Sequence, residues 1–165
     1  MTVAYLGLGA NLGDRRTAIE RALDALAAAG VRVAARSPLY ETDAVTADPQ
    51  PPYLNAAARI ETTLPPRVLL DLCLDVERVL GRVRPPGQTA AARVIDVDLL
   101  LYDDAIVDEP PELVVPHPRL LARPFVRIPL ADVALPGLVH PVTGAALDSA
   151  ASDPSVRLVR PPAAS

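Results

Sequence analysis

The chain has 165 residues, half of them hydrophobic, and a formal net charge of −4; one domain with one well-buried core is expected, without disorder and without a basic footprint for nucleic acid. All 16 basic residues are Arg, which excludes a P-loop lysine and a lysine Schiff base and leaves phosphate recognition to planar guanidinium groups. A single cysteine, Cys73, excludes an intrachain disulfide, and no apolar run approaches the ~18 residues of a membrane span, so a soluble cytoplasmic protein without nucleic-acid or membrane partners is expected.

Val3 to Leu8 reads as a first strand, ending in the turn Gly9-Ala10-Asn11-Leu12-Gly13-Asp14, where Asn11 or Asp14 can cap the following helix. Ile19, Ala22, Leu23 and Leu26 recur at helical spacing, and Gly30 supplies a stop. Val31 to Arg36 alternates apolar and polar residues, a second strand running on towards Tyr40. Residues 41–52 form a loop stiffened by Pro49, Pro51 and Pro52. In the next strand, from Tyr53 to Glu61, Leu54, Ala56, Ala58 and Ile60 face inward while Tyr53, Asn55, Arg59 and Glu61 face the other way. Its alanines suit close neighbouring strands or a surface cleared for a ligand.

Pro65 and Pro66 fit a helix first turn, and Leu69, Leu72, Cys73, Val76 and Leu80 make the apolar stripe of a helix ending at Gly81. Arg82 to Thr89 cannot continue it and is expected to be a mobile loop. The stretch Arg93 to Tyr102 alternates at a period of two, with Ile95, Val97, Leu99 and Leu101 on a core face and Asp96 and Asp98 side by side on the other. Asp103 and Asp104 make a turn, and Ala105 to Val107 suggests a short return strand. Leu113 to Pro129 is proline-rich and reads as irregular but ordered, held by Val115, Leu120, Val126 and Ile128. His140 reads as structural. The core domain is expected over 1–140, followed by a loosely held tail over 141–165 in which Val156 to Val159 is the strand-like patch.

This β-α-β-β-α-β order is that of the ferredoxin-like split unit, an α+β fold with an antiparallel sheet and both helices on one face. If the helices cover Leu54, Ile60, Val97 and Leu99, the opposite face displays Tyr53, Asn55, Asp96 and Asp98 together. Two adjacent carboxylates repel unless a cation lies between them, and Mg²⁺, which takes few protein oxygens plus substrate phosphates, fits best. A solvated outer face explains the aspartate pair equally well; the arginines of the upstream loop tip the balance towards phosphate chemistry.

Several separated motifs then resemble one family. They are Tyr5-Leu6-Gly7-Leu8-Gly9-Ala10-Asn11-Leu12-Gly13-Asp14, Tyr40-Glu41-Thr42, Pro52-Tyr53-Leu54-Asn55-Ala56, and Val76-Glu77 with Gly81-Arg82-Val83-Arg84. Arg93-Val94-Ile95-Asp96-Val97-Asp98-Leu99-Leu100, Val115-Pro116-His117-Pro118-Arg119 and Arg123-Pro124-Phe125 complete the set. In this order and spacing, over residues 3–136, they are similar to the 6-hydroxymethyl-7,8-dihydropterin pyrophosphokinases of the folate pathway.

The resemblance implies transfer of the pyrophosphoryl group of ATP to the pterin hydroxymethyl oxygen, releasing AMP. It also implies that Asp96 and Asp98 hold two Mg²⁺ ions, and that Arg82 and Arg93 stabilise charge on the transferred group. Glu77, Arg84 and His117 would line the nucleotide site. The pterin would stack between Tyr53 and Phe125, with Asn55 reading its edge, the backbone of Thr42, Asp43 and Val45 completing the pocket, and Arg123 alongside. A monomer is expected. The chain departs from the family pattern where Thr89-Ala90-Ala91-Ala92 precedes Arg93 in place of a Trp-containing segment, and where Asp43 stands in place of a usual proline. Three competing readings are a non-catalytic effector-binding module, a family member that binds pterin without turnover, and a Mg²⁺-dependent phosphotransferase with another acceptor.

Overall fold

The computed structural model describes residues 1–43, 51–81, 94–110 and 112–159. Strand β1 (Thr2–Ala10) leads into α1 (Arg15–Ala28), followed by β2 (Arg32–Arg36), β3 (Leu39–Thr42) and β4 (Tyr53–Thr62). Then come α2 (Pro66–Gly81), β5 (Asp96–Tyr102), β6 (Val107–Glu109), β7 (Leu113–Val115), α3 (Pro124–Val133) and β8 (Arg157–Val159). The main sheet runs β5-β1-β4-β3-β8, with β2 also on β4, and every pairing in it is antiparallel. This is the expected ferredoxin-like arrangement, in which β1 lies between β4 and β5 and a shorter edge lies beyond β4.

The second strand of that unit is split. Residues β2 and β3 pair with successive parts of β4, and Ser37-Pro38 separates them. Pro38 has no N–H to give to a ladder. Ser37 bridges the gap: its amide donates to the Ala57 carbonyl at 2.9 Å, and its hydroxyl accepts from the Ala57 amide at 2.9 Å. At the start of α1 the cap is Asp14, whose carboxylate accepts from the Thr17 amide at 3.1 Å. Asn11, the other candidate, is buried instead.

Helices α1 and α2 cover one face. Leu6, Leu8, Ile19, Leu26, Leu54, Ile60, Leu69, Cys73, Val97 and Leu99 form one buried cluster there; each large aliphatic side chain contributes about 1.5–3 kcal/mol by leaving water. A second cluster occupies half of the opposite face, where α3 packs over Tyr5, Ala57, Leu100 and Leu101 with Leu120, Leu130 and Leu147. Leu101 was expected beside Val97 and Leu99. A bulge displaces it: the pairing passes from Tyr5↔Leu101 to Leu6↔Leu99, the extra residue Leu100 reverses the alternation, and Leu101 turns to the second cluster.

The stretch Leu113 to Pro129, expected to be irregular, instead contains β7 and much of α3. Pro124 occupies the first turn of α3, where its missing N–H costs nothing. Pro129 lies inside the helix and is buried, so apolar packing offsets the hydrogen bond it cannot donate. The far end of α3 is tied to the sheet by three side chains. Arg59 donates to the Val133 carbonyl at 2.7 Å, the Tyr5 hydroxyl accepts from the Leu135 amide at 3.0 Å, and the Tyr40 hydroxyl donates to Asp132. Burial and that carboxylate push the Tyr40 phenol up to about 12.

Residues 141–159, expected as a loosely held tail, bury Leu147 in the second cluster and place β8 antiparallel to β3, with Leu39↔Val159, Tyr40↔Leu158 and Glu41↔Arg157 in register. His140 is buried, and its Nδ1 accepts from the amides of Val142 and Thr143, each at 3.2 Å.

Candidate active site

The half of the sheet that α3 leaves uncovered is floored by glycine. Gly9 pairs with Asp96 on one side and Asn55 on the other, and Gly7 pairs with Asp98 and Ala57. With strands about 4.8 Å apart, Asp96 and Asn55 stand roughly 10 Å from each other across Gly9, and two residues of strand put about 7 Å between Asp96 and Asp98. Gly9, which lies between Asp96 and Asn55 in the row, carries no side chain. A methyl group on Gly7 would meet the Leu100 side chain at 3.4 Å, and one on Gly9 would meet Asn55 Oδ1 at 3.4 Å. The result is a cleft of about 560 Å³ between the two carboxylates, the Tyr53–Asn55 end of β4, and the start of α3.

Tyr53, Asn55, Asp96 and Asp98 therefore line one cleft, as strand parity predicts, and Thr42, Asp43, Arg123 and Phe125 line it with them. Asn55 is buried and its Nδ2 donates to Thr42 Oγ1 at 2.9 Å. That bond fixes which way the amide faces. It leaves the side-chain carbonyl and the second N–H for the cleft. The Arg123 guanidinium lies 5.5 Å from the centre of the Phe125 ring, a contact worth about 0.5–1 kcal/mol at an exposed site. Both residues are placed by the first turn of α3, whose distal end the sheet anchors.

The acidic pair fits magnesium. Asp96 and Asp98 are half-buried, in register with two glycines, and open towards the cleft. Among the described residues, no group of three or more His, Cys, Asp or Glu side chains is placed to hold a metal. Two carboxylates without further protein ligands suit a hard cation that keeps waters and takes phosphate oxygens, and do not suit zinc, which wants three or four.

Glu77 takes a different place from the cleft wall. It projects from α2 to the outer edge of β5, where Oε1 accepts from the Val97 amide at 2.8 Å. Val97 is the residue between the two aspartates, so this bond secures the open edge of the strand that carries them. Glu77 and Asp98 also act on Cys73: burial, then these two charges, push its thiol up to about 12, which makes it an inert core residue. His117 is half-buried beside Asp98. Its amide donates to the Leu100 carbonyl at 2.9 Å, and its Nδ1 accepts from the Arg119 amide at 3.2 Å. Burial holds the imidazole below its ordinary value, with the Asp98 carboxylate acting in the opposite sense.

Val45, Arg82, Arg84 and Arg93 lie outside the described residues. Sequence reasoning missed Gly7 and Gly9 as the floor, although the same parity argument extends to them. It also missed Ser155, which lines the cleft from the C-terminal segment; the strand-like patch at Val156 to Val159 was the available signal.

The family model for 7,8-dihydro-6-hydroxymethylpterin-pyrophosphokinase matches residues 5–135. The chain belongs to this family. A Methylorubrum extorquens 2-amino-4-hydroxy-6-hydroxymethyldihydropteridine pyrophosphokinase is 46% identical over 140 residues, which are 84% of this chain and 86% of that protein. The Bacillus subtilis protein of the same name is 41% identical over 132 residues, 79% of this chain and 77% of its own length. A crystal structure of an HPPK-DHPS in complex with substrates superposes with a TM-score of 0.67 at 12% identity, covering 89% of this chain and 42% of the larger one; that likeness concerns the fold. Members of the pyrophosphokinase family are ATP-dependent transferases, and this chain's reaction is pyrophosphoryl transfer to hydroxymethyldihydropterin in folate biosynthesis. Among the described residues, no helix is long and apolar enough to cross a membrane.

Proposed function

We propose that the glycine-floored cleft is where this family's reaction is performed, with the pterin lying against Gly9 and Asn55 and the polyphosphate running over Asp96 and Asp98. The observation that carries this reading is the register that sets Asp96, Gly9 and Asn55 in one row, a carboxylate end and an amide end joined by a glycine floor. Asn55, oriented by Thr42, offers one acceptor and one donor to the pterin edge. Tyr53 and Phe125 supply the apolar walls for a flat ring, and Arg123 at the mouth supplies positive charge.

Asp96 and Asp98 would hold two Mg²⁺ ions. Bound there, magnesium neutralises phosphate charge and orients the transferred group, as in two-metal phosphoryl transfer. The chain itself contributes mostly positioning, since such transfers ask little covalent chemistry of the protein. Glu77 holds the backbone between the two aspartates, and this keeps both carboxylates aimed into the cleft. By their place in the motifs, Arg82 and Arg93 stabilise the charge on the transferred group, while Arg84 and His117 contact the nucleotide. By the same motif match, the backbone of Thr42, Asp43 and Val45 would complete the pterin pocket; Thr42 and Asp43 line the cleft. The chain acts as a cytoplasmic monomer, with the C-terminal segment through β8 docked on the same domain.

The test is AMP release from MgATP with and without 6-hydroxymethyl-7,8-dihydropterin. Pterin-dependent AMP formation supports the reading; AMP formation with a different acceptor only, or none, refutes it.

A further inference from the structure

The C-terminal segment lies beyond the residues that the family model covers, which end at 135, yet it reaches the cleft. Asp153 builds a local turn in which its Oδ1 accepts from both the amide and the hydroxyl of Ser155, at 2.9 and 2.6 Å. That turn brings Ser155 into the cleft lining, which Asp43 shares, and sends the chain into β8 along the edge of β3. Arg157, opposite Glu41 in the ladder, donates to Asp43 Oδ1 at 3.0 Å and to Glu41 Oε1 at 3.5 Å. The other oxygen of Glu41 accepts from Arg15 at 2.9 Å, and the same Arg15 nitrogen donates to the Pro52 carbonyl at 2.9 Å. A chain of charge-assisted contacts thus runs from the C-terminal segment through β3 to the residue before Tyr53. Thr42, which orients Asn55, sits between the two carboxylates that Arg157 holds.

We propose that residues 153–159 are a working part of the pterin end of the site, with Arg157 a positioning residue that acts through Glu41 and Asp43 on Thr42, Asn55 and Tyr53. Asp43 and Glu41 flank Thr42, and Arg157 holds both carboxylates, so the segment ties down the stretch of β3 that orients Asn55. The magnitude is that of an exposed ion-pair network and falls on ground-state pterin binding, because β8, which carries Arg157, lies at the opposite edge of the sheet from β5, which carries the aspartates.

This inference rests on the proposed placement of pterin, and the experiment separates the two. Steady-state AMP release is measured for the unaltered chain and for Arg157→Ala, Arg157→Lys, Asp43→Ala and the Arg157→Ala/Asp43→Ala pair. Arg157→Ala is expected to raise the pterin KM about two- to fivefold, the range of an exposed ion pair, with kcat and the ATP KM unchanged. Arg157→Lys should restore part of the loss, and the double variant should be no worse than the worse single variant, as for residues acting through one contact. A purely structural role would move the melting temperature and leave the pterin KM alone. Wild-type pterin KM in Arg157→Ala, with the unaltered chain active, overturns the role of the segment. An unaltered chain that releases no pterin-dependent AMP overturns the underlying placement, and this proposal with it.

Discussion

Gly9→Ala separates the stability of the sheet from the use of its floor. The backbone at Gly9 is not in the left-handed region, and an added Cβ would lie 3.4 Å from Asn55 Oδ1 and 3.9 Å from the Tyr53 ring. Both are ordinary contact distances, so the folded chain accommodates alanine. Replacing a strand glycine also reduces the freedom of the unfolded chain, worth about 0.4–1 kcal/mol where the native conformation is compatible. For a domain of this size that gain raises the melting temperature by about 1–4 °C. The cost falls on the ligand. A methyl group standing on the floor between Asn55 and Asp96 keeps any ring plane out of van der Waals contact with the strand, and overfilling a packed contact costs about 1–3 kcal/mol. Pterin affinity should fall by about 5- to 150-fold, read by titrating the pterin's own fluorescence in the presence of an ATP analogue, while calorimetry shows a melting temperature equal to or above that of the unaltered chain. A variant that melts lower contradicts the free-space argument. One that binds pterin at the original affinity shows that the ring does not lie on this floor.

Other perturbations isolate single contacts. Glu77→Gln keeps an oxygen able to accept from the Val97 amide and should preserve both stability and turnover, whereas Glu77→Ala leaves that edge amide without it and should cost about 1–3 kcal/mol, with a larger fractional loss in kcat than in pterin affinity; equal behaviour of the two variants would remove Glu77 from its edge-securing role. The buried His140 resists protonation, because burial holds its pKa below the ordinary value of 6.5 and its Nδ1 already accepts two amide hydrogens. The unfolded chain therefore binds the proton more readily, stability is lost as pH falls through and below that ordinary value, and replacing His140 by Asn should flatten the decline of melting temperature between about pH 7 and pH 5. Cys73, buried with its thiol pushed up to about 12, should resist alkylation by iodoacetamide in the folded chain and react once denatured; rapid native labelling would contradict its place in the core.

The parts of the fold that sequence made visible are those where period and burial agree. In β4 the alternation of Leu54, Ala56, Ala58 and Ile60 with Tyr53 and Asn55 survives unbroken from sequence to structure, and it places two cleft residues correctly. In β5 the same reasoning places Asp96 and Asp98 but fails at Leu101, because a bulge inserts Leu100 against β1 and no local residue signals it. Proline misleads in both directions. Pro38 breaks the second strand into β2 and β3, while Pro124 and Pro129, which read as markers of irregular chain, sit inside α3, where one falls in the first turn and the other is buried. That helix was the costliest omission, since it aims Arg123 and Phe125 at the cleft. The docking of β8 was illegible for another reason. Arg157 meets Asp43 across 114 residues of sequence, and a pairing of that range leaves no periodic trace.

The role proposed for Asp96 and Asp98 is to handle the metal and phosphate of pyrophosphoryl transfer. Asp96→Asn and Asp98→Asn keep the size of each side chain while removing its charge, and both variants should retain the far-ultraviolet spectrum and pterin binding. AMP release from MgATP and 6-hydroxymethyl-7,8-dihydropterin should fall by about 100-fold or more in each. Turnover at the unaltered rate in either folded variant would contradict that role.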